Sequence, residues 1–199
     1  MEERAWVRSR FDDCLMVDPI KICCLGAGPA SLYFAILMKK NNPDNEISVI
    51  ERGGRDSTWG FGVVFSDDTL HGLMDADVVT YKKIVEQFSY WGGIDTLIHG
   101  KTINSMGHGF CGMSRLRLLN ILHDRCEELG VNLIFNTEIS SVDSLQPEEY
   151  DLVVAGDGIS SIIRENYSEE FGTKKDWRRN KFCWLAMTKP LDDFKFIFR

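Results

Sequence analysis

Gly26-Ala27-Gly28-Pro29-Ala30-Ser31 sets two glycines one residue apart, directly after an apolar run and directly before a segment of helical spacing. That order suits a phosphate. Gly26 permits a tight turn and Gly28 lets the backbone approach a pyrophosphate. The pyrophosphate then sits at the positive end of the following helix. The pattern is GxGxxG with its last glycine replaced by Ser31, whose side chain is still small enough for helix and strand to pack closely. Glu51 closes the next apolar run, where a carboxylate can accept hydrogen bonds from both ribose hydroxyls of an adenosine. An acid there repels a 2′-phosphate, so the pair suits FAD or NAD better than NADP. Gly and Pro after a strand can mark a plain turn, and a glutamate at a strand end can be merely solvated. Strand, glycine turn and acid in register together predict a dinucleotide site.

The elements that must hold these residues follow from periodicity. Residues 20–25 form a short apolar run stopped by the glycines, as in a buried parallel strand. The spacing predicts a helix over 31–41, a turn at Asn42-Pro43-Asp44-Asn45 and a second strand ending at Glu51, a βαβ opening. Residues 52–76 read as a long Gly- and Asp-rich loop with a short helix over 67–74, and 78–88 as a helix. Short extended pieces are expected at 96–99 and 101–103. The helix over 115–129 carries Leu118, Leu119, Leu122, Cys126 and Leu129 on one stripe, with Gly130 as its C-terminal cap. Strands are expected at 132–136 and 151–155.

Composition removes several classes. The 199 residues are 44% hydrophobic and 27% charged, ordinary globular usage with room for one full domain or one plus a fragment. A formal net charge of −7 argues against a nucleic-acid binder. No apolar run approaches a membrane span, and MEERAWVRSRFDD lacks the apolar core of a secretory signal, so a cytoplasmic protein without stable membrane insertion is expected. The six cysteines contain no CxxC pair and read as reduced thiols, and the four histidines lack ligand spacing, so no metal site is expected.

A second constellation, Asp157-Gly158-Ile159-Ser160-Ser161-Ile162-Ile163-Arg164, follows the last strand. Alone, it is a turn and a solvated arginine. Together with the glycine turn it resembles the DGxxSxxR signature of the single-component flavin monooxygenases, which include aromatic hydroxylases of the hydroxybenzoate type. Arg115, with Leu118, Leu122 and Cys126 behind it, resembles the RxxLxxxLxxxA helix of the same group. GAGPASLYFAILMKK, ISVIER, TWGFGVVFSDDTL and NKFCWLAMTKP are similar to the salicylyl-CoA and anthraniloyl-CoA monooxygenases and to related hydroxylases of tryptophan-derived pigments. The likeness runs from Ile20 to Arg199.

The resemblance implies an α/β fold: a Rossmann-like FAD-binding domain with a parallel central sheet and the start of a second, substrate-domain sheet. Residues 1–18, of mixed charge and no clear period, read as a flexible leader, and the resemblance implies an FAD-binding domain over 19–175 with an inserted segment at about 60–112 and the beginning of a substrate domain over 176–199. Gly26, Gly28, Pro29, Ala30 and Ser31 would cradle the FAD pyrophosphate and Glu51 the adenosine ribose, with Arg52 near the adenine. Arg115 would lie beside the pyrophosphate or ribityl chain, and Asp157 and Gly158 would approach from the other side. Gly60 to Val64 would pass close to the flavin, with Trp59, Phe61 and Phe65 lining a cavity or packing in the core. NADH or NADPH would be the reductant, O₂ the oxidant, and an aromatic ring or aromatic acyl-CoA the substrate, in a chain able to form a homo-oligomer. No catalytic side chain is assigned.

Two features depart from the group. No arginine occurs between Arg55 and Arg115, where hydroxybenzoate-type enzymes carry one, and the group's second GD motif does not appear. With the apolar ending Phe196-Ile197-Phe198-Arg199, expected to leave an unpaired strand edge, the sequence reads as the N-terminal portion of a longer enzyme. A flavin reductase or dehydrogenase and a truncated, non-catalytic nucleotide-binding module are the competing readings.

Overall fold

In a computed structural model that describes residues 18–183 and 194–198, β1 (Lys21–Leu25) lies inside a parallel sheet. Its neighbours are β2 (Glu46–Ile50) on one side and β7 (Leu152–Ala155) on the other, with β6 (Asn132–Ile134) beyond β2, giving the order β6-β2-β1-β7. Successive side chains of a strand point to opposite faces, and here both faces are covered. Ile22 and Cys24 join Ile47 and Val49 in a core against α1 (Pro29–Asn41) and α4 (Arg115–Glu128). Cys23, Leu25 and Ile50 face a second core with Leu145 of α5 (Val142–Leu145) and Ile163 of α6 (Ile162–Asn166). The run Ile22-Cys23-Cys24-Leu25 is apolar throughout because neither face meets water.

Local chemistry sets the ends of these elements. Helix α1 begins at Pro29, two residues earlier than the spacing suggested, because proline fits the first helical position, where its missing N–H is not needed. Gly130 follows α4 at φ +80°, with its N–H bonded to the Glu127 carbonyl and that of Val131 to Cys126, the glycine termination expected there.

Between β2 and α4 the chain builds three strands of a second sheet, and a fourth comes from residues 194–198. β3 (Gly62–Phe65), β4 (Ser89–Ile98), β5 (Lys101–Ser114) and β8 (Phe194–Phe198) lie in the order β3-β5-β4-β8. α2 (Asp67–Ala76) and α3 (Val78–Val85) pack beside it, and α3 stops short of the expected residue 88. The two short extended pieces expected here are the inner ends of a long hairpin. His99 at φ 45° and Gly100 at φ 75° form the two-residue turn between Ile98 and Lys101. Glycines 92, 93, 107, 109 and 112 hid the outer parts of both strands, since they carry no side chain to show alternation. The Phe194–Phe198 strand has a partner: it pairs parallel with β4, leaving only its outer side as an edge. The 1–17 part of the leader and residues 184–193 and 199 lie outside the described residues.

Asp77, between α2 and α3, ties the helical layer together. Its carboxylate is buried, accepts from Thr80 Oγ1 at 2.6 Å and pairs with Lys40 of α1 at 2.9 Å and Arg125 of α4 at 3.1 Å. Burial alone would push this carboxyl up; hydrogen bonds from Arg125, Thr80 and Lys40 overcome that and hold it well below the usual carboxylate range. Cys23, Cys24, Cys111 and Cys126 are buried free thiols, whereas Cys183 is exposed rather than packed in apolar surroundings. Burial pushes Cys24 and Cys126 up to about 12. Among the described residues no helix is long and apolar enough to cross a membrane, and no group of three His, Cys, Asp or Glu could hold a metal ion.

Candidate functional site

The carboxyl ends of β1, β2 and β7 open, with the start of α4, on one cleft of about 500 Å³, within the ordinary range for a small-molecule site. Gly26, Ala27 and Gly28 enter it from β1, Glu51 and Arg52 from β2, Arg115 from α4, and Gly156, Asp157 and Gly158 from β7. Residues far apart in sequence are gathered because parallel strands present the same end to the same side.

The glycine turn is held by the residues it faces. Ala27 N–H donates to Glu51 Oε2 at 2.9 Å, and Gly53 N–H donates to Oε1 at 2.8 Å. Glu51 thus braces both loops, and each oxygen keeps lone-pair capacity for a further donor. A side chain at Gly26, which sits at φ +89°, would place its Cβ 2.7 Å from the Gly156 carbonyl oxygen and 2.8 Å from Asp157 Cα. The two glycine-bearing loops therefore fit into one another. Ser31, in place of the third glycine, lies against Gly156, where any Cβ would collide with its Oγ.

Gly28 differs. Its φ of −76° suits any residue, and a Cβ there would find only the Gly156 oxygen, at 3.9 Å. The space beside it belongs to the cleft. Gly28 caps α1 without a side-chain hydrogen bond, and no acid lies in the first turn, so the helix presents uncapped amides. Pro29, Ala30 and Ser31 do not themselves line the cleft; the first turn of α1 stands directly behind Gly28, which does.

Asp157, Gly158, Ser161 and Arg164 of the second constellation each have a local task. Asp157 Oδ2 accepts from Ile162 N–H at 2.9 Å, and Gly158 adopts φ +82°. Ser161 caps α6 by accepting from Arg164 N–H at 3.1 Å. The Arg164 guanidinium donates to the Gly158 carbonyl at 3.1 Å and to that of Ile159. One atom is left over: Asp157 Oδ1 is buried and has no partner among the described residues. An orphaned buried acceptor asks for a donor.

Arg115 and Arg52 stand on the wall. Arg115 Nη1 donates to Thr58 Oγ1 at 3.1 Å, and its backbone N–H donates to the Phe61 carbonyl at 3.1 Å. A cation in the first turn opposes the helix dipole, a local cost accepted where the charge serves something outside the helix. Arg52 lies over the ring of Trp59, 5.8 Å from guanidinium carbon to centroid. Trp59 is on the rim, 78% exposed. Of the other aromatics, Phe65 packs on Phe88 at 5.4 Å against the first core, while Phe61 is 63% exposed and reaches neither core nor cleft. Gly60 to Val64 do not line the cleft either; Gly62, Val63 and Val64 are strand β3.

The motifs do not single out Arg55 or His123, and Thr58 stands in them only as the first residue of TWGFGVVFSDDTL; all three share this region. Arg55 donates to Asp124 at 2.6 Å and is paired with Glu127, strapping the loop after β2 onto α4. His123 occupies the buried stripe of α4, one turn after Leu119, so the apolar spacing itself held the clue.

The donor set fits a dinucleotide such as FAD: uncapped amides and an open space at Gly28 for a diphosphate, with the acceptors Glu51 and Asp157 Oδ1 for hydroxyl groups. The chain is 36% identical over 178 residues to a salicyloyl-CoA 5-hydroxylase from a Streptomyces species, covering 89% of this chain and 34% of that protein. It is 28% identical over 183 residues to protodeoxyviolaceinate monooxygenase of Chromobacterium violaceum, covering 90% and 48%. The chain thus spans between about a third and a half of the curated relatives' length. No protein-family model matches it. Among solved structures, the tetrameric form of 2-methyl-3-hydroxypyridine-5-carboxylic acid oxygenase superposes with a TM-score of 0.63 at 23% identity, over 75% of this chain and 42% of that one. A mixed α/β fold with a parallel sheet is shared with that oxygenase, and in sequence the chain is similar to the hydroxylase and the monooxygenase named above.

Proposed function

We propose that this chain is the nucleotide-binding part of an FAD-dependent aromatic monooxygenase that uses NADH or NADPH and O₂, with an aromatic acyl-CoA as the substrate class. The observation that carries the reading is the single cleft shared by the Gly28 amides, Glu51, Arg115 and Asp157 at the carboxyl ends of parallel strands. The acyl-CoA assignment rests on the salicyloyl-CoA 5-hydroxylase relative. Residues 19–175 form the Rossmann-like FAD-binding domain with its insertion at about 60–112, and 176–199 begin the substrate domain.

Bound FAD supplies the redox chemistry that activates O₂ for transfer to an electron-rich ring. This chain's residues bind, orient and exclude water. The amides of Ala30 and Ser31 hold the diphosphate at the positive end of α1, and Gly28 leaves it room. Glu51, already fixed by two backbone donors, accepts from the ribose hydroxyls. Asp157 Oδ1 accepts from a polyol hydroxyl rather than facing a phosphate, which its charge would repel. Arg115 supplies the compensating positive charge.

Calorimetry of the full chain with ADP and FAD tests the site, together with Gly28→Ala. Its methyl group has no clash in the protein but occupies the diphosphate's space. The variant is expected to melt as the unsubstituted chain does and to bind ADP at least about tenfold more weakly. A full chain that binds neither nucleotide overturns the reading. NAD(P)H oxidation stimulated by an aromatic substrate, with label from ¹⁸O₂ found in the product, separates a monooxygenase from a flavin reductase or dehydrogenase.

A further inference from the structure

The imidazole of His123 is 2% exposed, and neither Nδ1 nor Nε2 has a hydrogen-bond partner among the described residues. Phe135 meets it edge-on at 5.1 Å between ring centroids. The Arg55 strap runs between the loop after β2 and the neighbouring residues Asp124 and Glu127. Burial, and then the charge of Arg55, hold the imidazole below its ordinary pKa, against the opposing pull of Glu127, Asp124 and Asp56, so the ring is neutral at pH 7. A neutral imidazole has one donor and one acceptor, and leaving both unmet in the interior is unfavourable. Native structures keep such a group where something else completes it.

The order of the sheet says what that is. Across β6-β2-β1-β7, the diphosphate cradle follows β1, the ribose acceptor Glu51 follows β2, and Asp157 follows β7. Phe135 follows β6, on the far side of Glu51 from the cradle, and His123 packs on it. Both line the cleft. A nucleotide with its diphosphate at Gly28 and its ribose at Glu51 therefore carries its base toward Phe135 and His123.

We infer that His123 is the base-recognising residue of the cleft, hydrogen-bonding the adenine of the bound nucleotide while Leu119 and Phe135 supply apolar contact. This rests on the nucleotide reading above and adds to it a residue that the motifs did not indicate. Adenine offers an amino donor and ring-nitrogen acceptors, and either is met by a choice of imidazole tautomer.

The test uses the full chain with ¹⁵N-labelled histidine, whose four imidazoles are followed by long-range proton–nitrogen spectra. His123→Phe assigns the signal. ADP is expected to shift a ring nitrogen of His123, whereas inorganic pyrophosphate, which has no base, leaves it in place. The variant is expected to bind ADP about tenfold more weakly, to bind pyrophosphate unchanged and to melt no lower, since it loses an unsatisfied buried group. An unmoved His123 resonance at saturating ADP, or equal ADP affinity of the two chains, overturns the assignment and leaves the cleft intact. Failure of the unsubstituted chain to bind either probe overturns both readings. Should the variant not fold, the spectrum of the unsubstituted chain still decides.

Discussion

The two sheets of this molecule solve the burial problem in opposite ways. In the parallel sheet, β1 is covered on both faces, and its alternate residues belong to two separate cores. In the second, mixed sheet, Met106 is 68% exposed and Ile103 58%, with Tyr90, Ile197 and Phe198 also open to solvent. The register places Ile103, Thr96 and Phe196 side by side on one face, and next to them Ile98 and Phe198. The opposite face carries Asp95, Asn104 and Lys195, joined by hydrogen bonds. Contiguous exposed apolar surface of this kind marks a surface that meets something else. The parallel layer is covered on both faces, whereas the second sheet, beyond Val63, Phe65 and Met113 where it meets the first core, is ordered chiefly by its ladder.

Substitutions can break or sharpen that contrast. The largest effect is expected at Asp77. Asp77→Ala leaves the Lys40 and Arg125 charges without their buried partner, and chemical denaturation is expected to show a loss of about 4 kcal/mol. The same group predicts the acid limb. Its folded-state pKa lies below the unfolded value of about 4, so its contribution is full above that pH and declines as pH falls below it. The unsubstituted chain should therefore lose stability on acidification below about pH 4 more steeply than Asp77→Asn, as read from denaturation midpoints. Next comes Gly26→Ala, whose methyl group meets the Gly156 and Asp157 backbone at a positive φ. A loss of about 2–3 kcal/mol is expected, and unlike Gly28→Ala this variant should lower the melting temperature as well as ADP affinity. The smallest effect belongs to the open sheet. Ile103→Thr and Met106→Thr are expected to change stability by less than about 0.5 kcal/mol while reducing the binding of an apolar dye. A cost there matching that of Gly26→Ala would mean that the second sheet is as tightly packed as the first.

Legibility in the sequence followed the same divide. Ile22-Cys23-Cys24-Leu25, the glycine turn and the stripe on α4 were readable because burial on fixed faces imposes a period, and that period survives in the residue types. The segment between β2 and α4 was not. Its hairpin rests on backbone pairing and a positive-φ turn at His99-Gly100, and its glycines leave no alternation to read. The site was legible where backbone geometry demands a residue type: Gly26, Gly158 and the capping Ser161. Glu51 was expected only to meet a ribose, yet it also braces the turn at Ala27 and Gly53, a bond between strand ends that no spacing encodes. Arg55 and His123 escaped for a related reason, since each matters through a neighbour brought close only by the fold.

The fitting of Gly26 against Gly156 and Asp157, with Ser31 seated on Gly156, has a consequence for how this protein can change. Positions 26, 31 and 156 form a joint in which no member can grow unless another gives way. Drift at one of them is tolerated only with compensation at a distant point of the chain. The width of the opening between the ends of β1 and β7 is therefore set by main-chain contact, and it stays constant while the side chains around its mouth are free to vary.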